Sequence, residues 1–435
     1  MHLLYNILLL LSNSFLANAL FIGSATSSLQ IEGHNKGITI WDEYVLEKNL
    51  HPINNASNHY IQYKEDIKLI NDMGSKDYRF SISMSRIMPH KWMEIDEEGI
   101  NFYHNIIDEC LSYNITPYVT LYHWELPNYL SNDEFSSWLD YRIVNYFKEF
   151  AILVFEEYSD KVKNWMTINE PLTTSLQGYG EICNFPPGNC SLYNQYLSAH
   201  NQLLAHAHVG NFYMENYDGQ IGLVINSNWF EPFNENSIIA SNIMMNKTLG
   251  WFLDPIIRGT YPNVLFENLD FKFKFSETEQ YLLKNSFNFI GINHYTTYYM
   301  DENFNYHYND NWIKSKANWL YIVPYGIRKL LNYINIYYTN NYDIYITECG
   351  MPQVASSIND FDRIHYLSGY LFELQSLQYD NVKGFFIWSL LDNFEWIQGY
   401  NESFGIIEVD YNNNYQRTPK LSYYLFQSFL KGQTF

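Results

Sequence analysis

The sequence predicts an α/β chain closed into a single (β/α)8 barrel, the TIM-barrel architecture, and three observations predict it. Eight short apolar runs recur along the chain, amphipathic helical stretches separate them, and polar or ionisable residues gather in or just after the runs. Strands that alternate with helices, without hairpin signals, imply parallel βαβ units, and eight such units suit a closed barrel better than an open sheet. A length of 435 residues is compatible with one domain, because barrels commonly exceed the usual domain size. No repeat of 20 to 50 residues and no Gly/Ser-rich or Pro-rich linker divides the chain.

The chain opens with an apolar run from Ile7 to Leu11 and a small-residue site, Ala17-Asn18-Ala19, before Leu20. Residues 1–19 are therefore expected to be a cleaved signal peptide, leaving 20–435 as the barrel domain and directing it out of the cell or into the secretory-lysosomal lumen. The basic leader region is missing apart from the amino terminus and His2, so an uncleaved anchor or a misplaced start is the alternative. No later stretch reaches the roughly 18 apolar residues that span a bilayer, so no membrane contact is expected after cleavage.

The predicted strands are residues 20–23, 77–81, 117–121, 162–167, 221–225, 289–292, 342–347 and 384–388. Between the third and fourth, Ile143, Val144, Phe147, Phe150, Val154 and Tyr158 mark one helical face; between the seventh and eighth, Ile364, Leu367, Tyr370, Leu371 and Leu374 mark another. Arg79, His123, Asn169-Glu170, Asn293-His294-Tyr295 and Glu348 fall at the C-terminal ends of their runs. Each has a bland reading alone: Arg79 as a surface ion pair, His123 as a satisfied core histidine, Asn293 as a turn former. In a (β/α)8 barrel, however, the C-terminal ends form the catalytic face, where residues distant in sequence converge. Glu170 and Glu348 follow the fourth and seventh runs, and two carboxyls facing across a pocket are the minimal equipment for cleaving a glycosidic bond.

Hydrophobic residues make up 47% of the chain and charged residues 17%, which is enough apolar material for a globular core throughout. A formal net charge of -21 disfavours nucleic acid and anionic membrane surfaces as partners, although acidity also serves solubility alone. Four cysteines without a paired CxxC pattern point to no metal site, and no cofactor is called for. Cys183 and Cys190 flank the turn-rich segment 184–189, so a local disulfide is sterically feasible. Sequons begin at Asn55, Asn114, Asn189, Asn246 and Asn401, and are glycosylation sites only in a eukaryotic secretory pathway.

An ordered series of motifs resembles glycoside hydrolase family 1 from residue 21 to about residue 422. It comprises Phe21-Ile-Gly-Ser-Ala-Thr-Ser-Ser-Leu-Gln30-Ile-Glu-Gly33, Tyr78-Arg79-Phe-Ser-Ile-Ser83, Thr120-Leu-Tyr-His123-Trp124-Glu-Leu-Pro127 and Trp165-Met-Thr-Ile-Asn169-Glu170-Pro171. Further along come Gly291-Ile-Asn293-His-Tyr295, Tyr345-Ile-Thr-Glu348 and Trp388-Ser-Leu-Leu-Asp-Asn-Phe-Glu395-Trp396. The resemblance implies a retaining β-glycosidase, most simply a β-glucosidase, acting on small-molecule or oligosaccharide β-glycosides by double displacement. It makes Glu170 the acid/base and Glu348 the nucleophile. Arg79 and Tyr295 become the neighbours that keep the nucleophile ionised, and Asn169 the donor to the sugar 2-hydroxyl. It implies sugar contacts from Gln30, His123, Asn293, Glu395 and Trp396, a stacking floor at Trp388, and pocket walls at Trp124 and Phe404. Trp319 is expected on the aglycone side. A carboxylate at Glu395 also disfavours 6-phosphorylated sugars.

Two departures lie near the expected site: Cys349 stands where the family has Asn directly after the nucleophile, and Met84 where it has Trp. The chain is also short between Gly259 and Phe289, which bears on the aglycone entrance. A transglycosidase or thioglucosidase variant and a noncatalytic sugar-binding member are the competing readings. Both carboxylates argue against the noncatalytic reading, and Glu170 argues against a plant-type thioglucosidase, which carries Gln there.

Overall fold

The structure is a computed structural model that describes residues 20–432 apart from 35, 182, 339–341, 355–356 and 378; the expected signal peptide, 1–19, lies outside the described residues. Eight parallel strands form the barrel: β1 (Phe21–Ala25), β2 (Asp77–Ser81), β3 (Thr116–Tyr122), β4 (Asn164–Asn169), β5 (Gln220–Asn226), β6 (Phe289–Asn293), β7 (Asp343–Cys349) and β8 (Val382–Trp388). Each pairs with its neighbours in sequence, and the sheet closes where β1 lies between β8 and β2, with Phe21 opposite Gly384 and Ser24 opposite Tyr78. The eight runs read from the sequence all become barrel strands. Several strands run further than their apolar run: β4 takes in Asn169 and β7 takes in Glu348 and Cys349, because extended backbone continues past the last core residue to the polar mouth.

Helices return the chain to the start of the next strand: α1 (His59–Met73), α2 (Glu97–Ser112), α3 (Arg142–Tyr158), α4 (Pro171–Tyr179) and α5 (Leu192–Asn216), then α6 (Glu277–Lys284), α7 (Tyr325–Tyr337) and α8 (Phe361–Gln375); α9 (Leu421–Leu430) follows the last strand. The predicted faces of α3 and α8 are buried in full. Burying each large apolar side chain of such a face stabilises by about 1.5–3 kcal/mol, and truncating Phe147 to Ala is expected to cost about 3–5 kcal/mol. The helix-facing core surrounds the sheet, while a second core fills the barrel with Tyr118, Met166, Val224, Phe289, Tyr345 and Phe386. These rings need space. A Cβ on Gly384 would overlap the Phe21 ring, and one on Gly222 would sit 2.7 Å from the Phe289 ring.

Loops after the strands build the mouth. Among them, Trp229–Pro232, Thr297–Met300 and Tyr306–His307 form a three-stranded sheet. Among the described residues, no helix is long and apolar enough to cross a membrane.

Candidate active site

Glu170 sits where β4 gives way to α4. Its own backbone is left-handed, at φ 49° and ψ 64°, and Pro171 opens the helix, a position that needs no amide hydrogen. The Glu170 N–H is taken by the carbonyl of Val224 on β5 at 2.9 Å. Its carboxyl accepts from Asn293 Nδ2 and from Thr173 Oγ1, both at 2.7 Å. Thr173, three residues into α4, faces back toward Glu170 and in turn accepts from Asn226.

Glu348, inside β7, has different company. Arg79 donates to Oε1 at 2.7 Å and Tyr295 donates its phenol hydrogen to Oε2 at 2.7 Å. Arg79 is fully buried, and its other donors reach the Thr347 carbonyl, Asn169 Oδ1 and Thr120 Oγ1. His123 Nε2 lies 4.0 Å from Glu348 Oε1 and 3.2 Å from Asn169 Nδ2, while Nδ1 has no hydrogen-bond partner among the described residues. Burial, then the Arg79 charge, push the His123 imidazole well below its usual range, so it is neutral at neutral pH.

The two carboxyls therefore have different affinities for a proton. Burial first, and the Glu348 charge second, push Glu170 up to about 7 against the hydrogen bonds from Asn293 and Thr173. Burial leaves Glu348 above the usual carboxylate value as well, but less far, because Arg79 and Tyr295 oppose it by attraction and by hydrogen bonds to the ionised form.

Both carboxyls open onto one cavity of about 400 Å³. Of the sequence-predicted residues, His123, Trp124, Asn293, Tyr295, Trp319, Trp388, Glu395, Trp396 and Phe404 line it with them. Trp388 stacks on His123 at 5.6 Å between ring centroids, and Trp124 packs on Trp396 at 4.7 Å. Trp319 stands at the rim, 43% exposed and 5.7 Å from the Tyr295 ring. Burial, then the charges of Glu402, Glu348 and Glu170, push the Glu395 carboxyl well above the carboxylate range.

Three predicted residues lie behind the cavity wall, Arg79 in its expected place beside Glu348. Arg79 and Asn169 are buried beneath Glu348, and Gln30 is buried with its amide donating to Asn393, Phe394 and Glu395. Asn293 reaches the cavity, yet its amide is engaged within the protein: Nδ2 donates to Glu170 and Asn169, and Oδ1 accepts from Thr347 at 2.6 Å. It is a strut between the carboxyl ends of β4, β6 and β7. The cavity also takes in residues that the sequence reading passed over, among them Thr173, Gln177, Asn184, Phe185, Asn228 and Glu402. Thr173 carried a usable signal, three positions after Glu170 on a helix, whereas nothing in the surroundings of Glu402 marked it.

Cys183 and Cys190 form the expected disulfide, with Cα atoms 5.8 Å apart. The loop they close presses Phe185 onto Trp41 and Trp124, at 5.0 and 5.5 Å. Cys110 and Cys349 are free and buried. Burial pushes the Cys349 thiol up and shuts it from solvent, which disfavours the reactive thiolate. Met84 is buried in the core, filling apolar space. Asn114, Asn189 and Asn401 are exposed, and Asn55 and Asn246 half-buried. Among the described residues, no cluster of His, Cys, Asp and Glu is arranged to hold a metal.

The family model for Glycosyl hydrolase family 1 matches residues 12–435. Beta-glucosidase 4 of Oryza sativa subsp. japonica is 40% identical over 457 residues, with 94% of each chain covered. Among solved structures, a rice β-glucosidase superposes with a TM-score of 0.88 at 36% identity, covering 94% of this chain and 98% of that one. An aphid myrosinase superposes with a TM-score of 0.89 at 33% identity, covering 96% and 99%.

Proposed function

The chain belongs to glycosyl hydrolase family 1 and is a β-glycosidase, and we propose that it is a retaining β-glucosidase working through Glu170 and Glu348. The carrying observation is the unequal pair of carboxyls in one cavity. Glu170 is pushed up to about 7 by burial and by Glu348, so it still holds a proton near neutral pH. Glu348 is held toward its ionised form by Arg79 and Tyr295.

In the first step Glu348 attacks the anomeric carbon while Glu170 passes its proton to the departing oxygen. A covalent glycosyl ester then replaces the Glu348 charge, which removes one of the two causes that raised Glu170. Glu170 gives up protons more readily in that state, takes one from the incoming water, and the second displacement returns the original configuration. His123, Glu395 and Trp396 supply polar contacts to the glycone, and Trp388 supplies a flat apolar face. Asn169 acts from below, where Arg79 binds its carbonyl oxygen and leaves the amide hydrogens for His123 and the sugar side. Among the described residues four glutamates line the cavity and neither Lys nor Arg does, which disfavours phosphorylated glycosides. The proposal extends to secretion: the N-terminal leader pattern, a local disulfide and exposed sequons support it.

The test is hydrolysis of 4-nitrophenyl β-glucoside followed by proton NMR. Wild-type protein should release the β-anomer first and Glu348→Gln should be inactive. First release of the α-anomer would sink the double displacement, and sugar binding without turnover would favour a noncatalytic member. The likeness to an aphid myrosinase makes S-glycoside cleavage the second reading. A thioglucoside turned over faster than its oxygen analogue would establish it.

A further inference from the structure

The backbone carbonyl of Tyr295 is the meeting point of two buried phenols. Tyr366 and Tyr370, one turn apart on α8 and fully buried, donate to that single oxygen at 2.7 and 2.9 Å, with their rings 4.3 Å apart. The Cys349 thiol donates in turn to the Tyr366 hydroxyl at 3.5 Å. One residue back, the His294 N–H donates to the Glu348 carbonyl at 3.0 Å. The chain leaving β6 is thus tied to the end of β7 twice: directly at His294, and through Tyr366 at Tyr295.

One hydrogen bond would satisfy a buried carbonyl, and this oxygen uses both lone pairs on one helix. Tyr295 lies beyond the end of β6, where the barrel ladder no longer fixes the backbone, yet its phenol must meet Glu348 Oε2 at 2.7 Å. Hydrogen bonds weaken steeply with misalignment, so the direction of the Tyr295 Cα–Cβ bond decides how well that contact is made.

We propose that Tyr366 and Tyr370 are positioning residues for the reaction: by clamping the Tyr295 carbonyl they aim its phenol at Glu348, and Cys349 couples the clamp to the nucleophile's own strand. The proposal rests on the reading of Glu348 as nucleophile. Glu348 is faced by Arg79 from β2, His123 just beyond β3, Glu170 beyond β4, Asn293 at the end of β6 and Tyr295 beyond it, and Glu395 beyond β8. Of the residues that face Glu348, Tyr295 is the one whose backbone carbonyl α8 holds, and the Cys349 thiol adds a second, weaker tie from α8 to the strand of Glu348 itself. Losing a donor to the ionised carboxyl makes it easier to protonate, so the acid limb of kcat/KM, where Glu348 loses its charge, moves to higher pH.

The experiment compares pH profiles of kcat/KM and melting temperatures for wild type, Tyr366→Phe, Tyr370→Phe, the double variant, Tyr295→Phe and the triple variant. The double variant is expected to move the acid limb upward by roughly 0.5 pH units, Tyr295→Phe to move it the same way, and the triple variant to go no further than Tyr295→Phe. A double variant that melts earlier with an unmoved limb has lost only packing, and overturns the proposal. So does a second, equal shift in the Tyr295→Phe background. If the double variant does not fold, each single variant keeps one donor and is read against the same Tyr295→Phe cycle. Titration of the Glu348 carboxyl carbon in ¹³C-Glu protein reads the same shift without turnover, so a protein inactive on every glycoside still decides the clamp while overturning the glycosidase reading.

Discussion

Glu170→Gln is expected to make the protein more stable above neutral pH. The Glu170 carboxyl is 6% exposed and is pushed from 4.5 to about 7, chiefly by burial. A folded-state value above the unfolded one means that the folded protein prefers the proton, so stability is lost as pH rises through the window from 4.5 to about 7. The full difference of 2.5 corresponds to about 3 kcal/mol above that window, at 1.36 kcal/mol for each pH unit. Gln cannot ionise and keeps the volume of Glu. It also keeps most of the hydrogen bonding: its carbonyl can accept from Asn293, and the Thr173 hydroxyl can turn from donor to acceptor. For 435 residues unfolding together, about 3 kcal/mol is a melting shift of roughly 3–4 °C. Paired melts of wild type and variant in the same buffers, from about pH 4.5 to 8, test this. The gap should open with pH and level off above neutrality. A gap that stays flat, or that favours wild type at the alkaline end, would refute the argument that this carboxyl is held at the expense of the fold.

Glu170→Gln should still form the glycosyl-enzyme from an activated nitrophenyl glycoside but stall before hydrolysis, and added azide should restore turnover as the β-glycosyl azide; rescue of Glu348→Gln with that same product would reverse the assigned roles. In wild type the basic limb of kcat/KM should fall near pH 7, where Glu170 loses its proton, and a flat profile to about pH 9 would count against it as acid. Arg79→Met strands a buried carboxylate, so denaturant titration at neutral pH should show a loss of about 3–5 kcal/mol, and a loss below about 1 kcal/mol would mean that Glu348 does not depend on its partner. Non-reducing peptide mapping should recover the Cys183–Cys190 link. Replacing both by Ser should raise KM several-fold through a loosened Phe185 while leaving the melting temperature nearly unchanged, and the opposite pattern would assign the bridge to the barrel instead.

The barrel was legible because its strands are buried on both faces and read as apolar runs, and because strands that alternate with amphipathic helices leave few other topologies. Strand ends were less legible for the same reason: apolarity stops at Ile168 and Ile346, while extended backbone goes on through Asn169 and Cys349. The two carboxyls were legible as polar residues at C-terminal strand ends. What the sequence does not show is how polar groups bond within the protein: the amide of Gln30 donates to Asn393, Phe394 and Glu395, and that of Asn293 bonds Glu170, Asn169 and Thr347, partners far away in sequence. Glu402 escaped because a two-residue strand in a polar loop has no periodicity to read.

The pairing of Phe21 with Gly384 bears on how such a chain is made. Synthesis delivers β1 first and β8 almost last, so for most of translation the growing sheet has two raw edges, each a row of unpaired backbone groups open to a neighbouring chain. Trp388, stacked on His123 in the cavity wall, arrives with the strand that seals those edges. A message truncated before residue 382 therefore yields material for the cell's quality-control machinery, since the last strand completes the sheet and the cavity wall together.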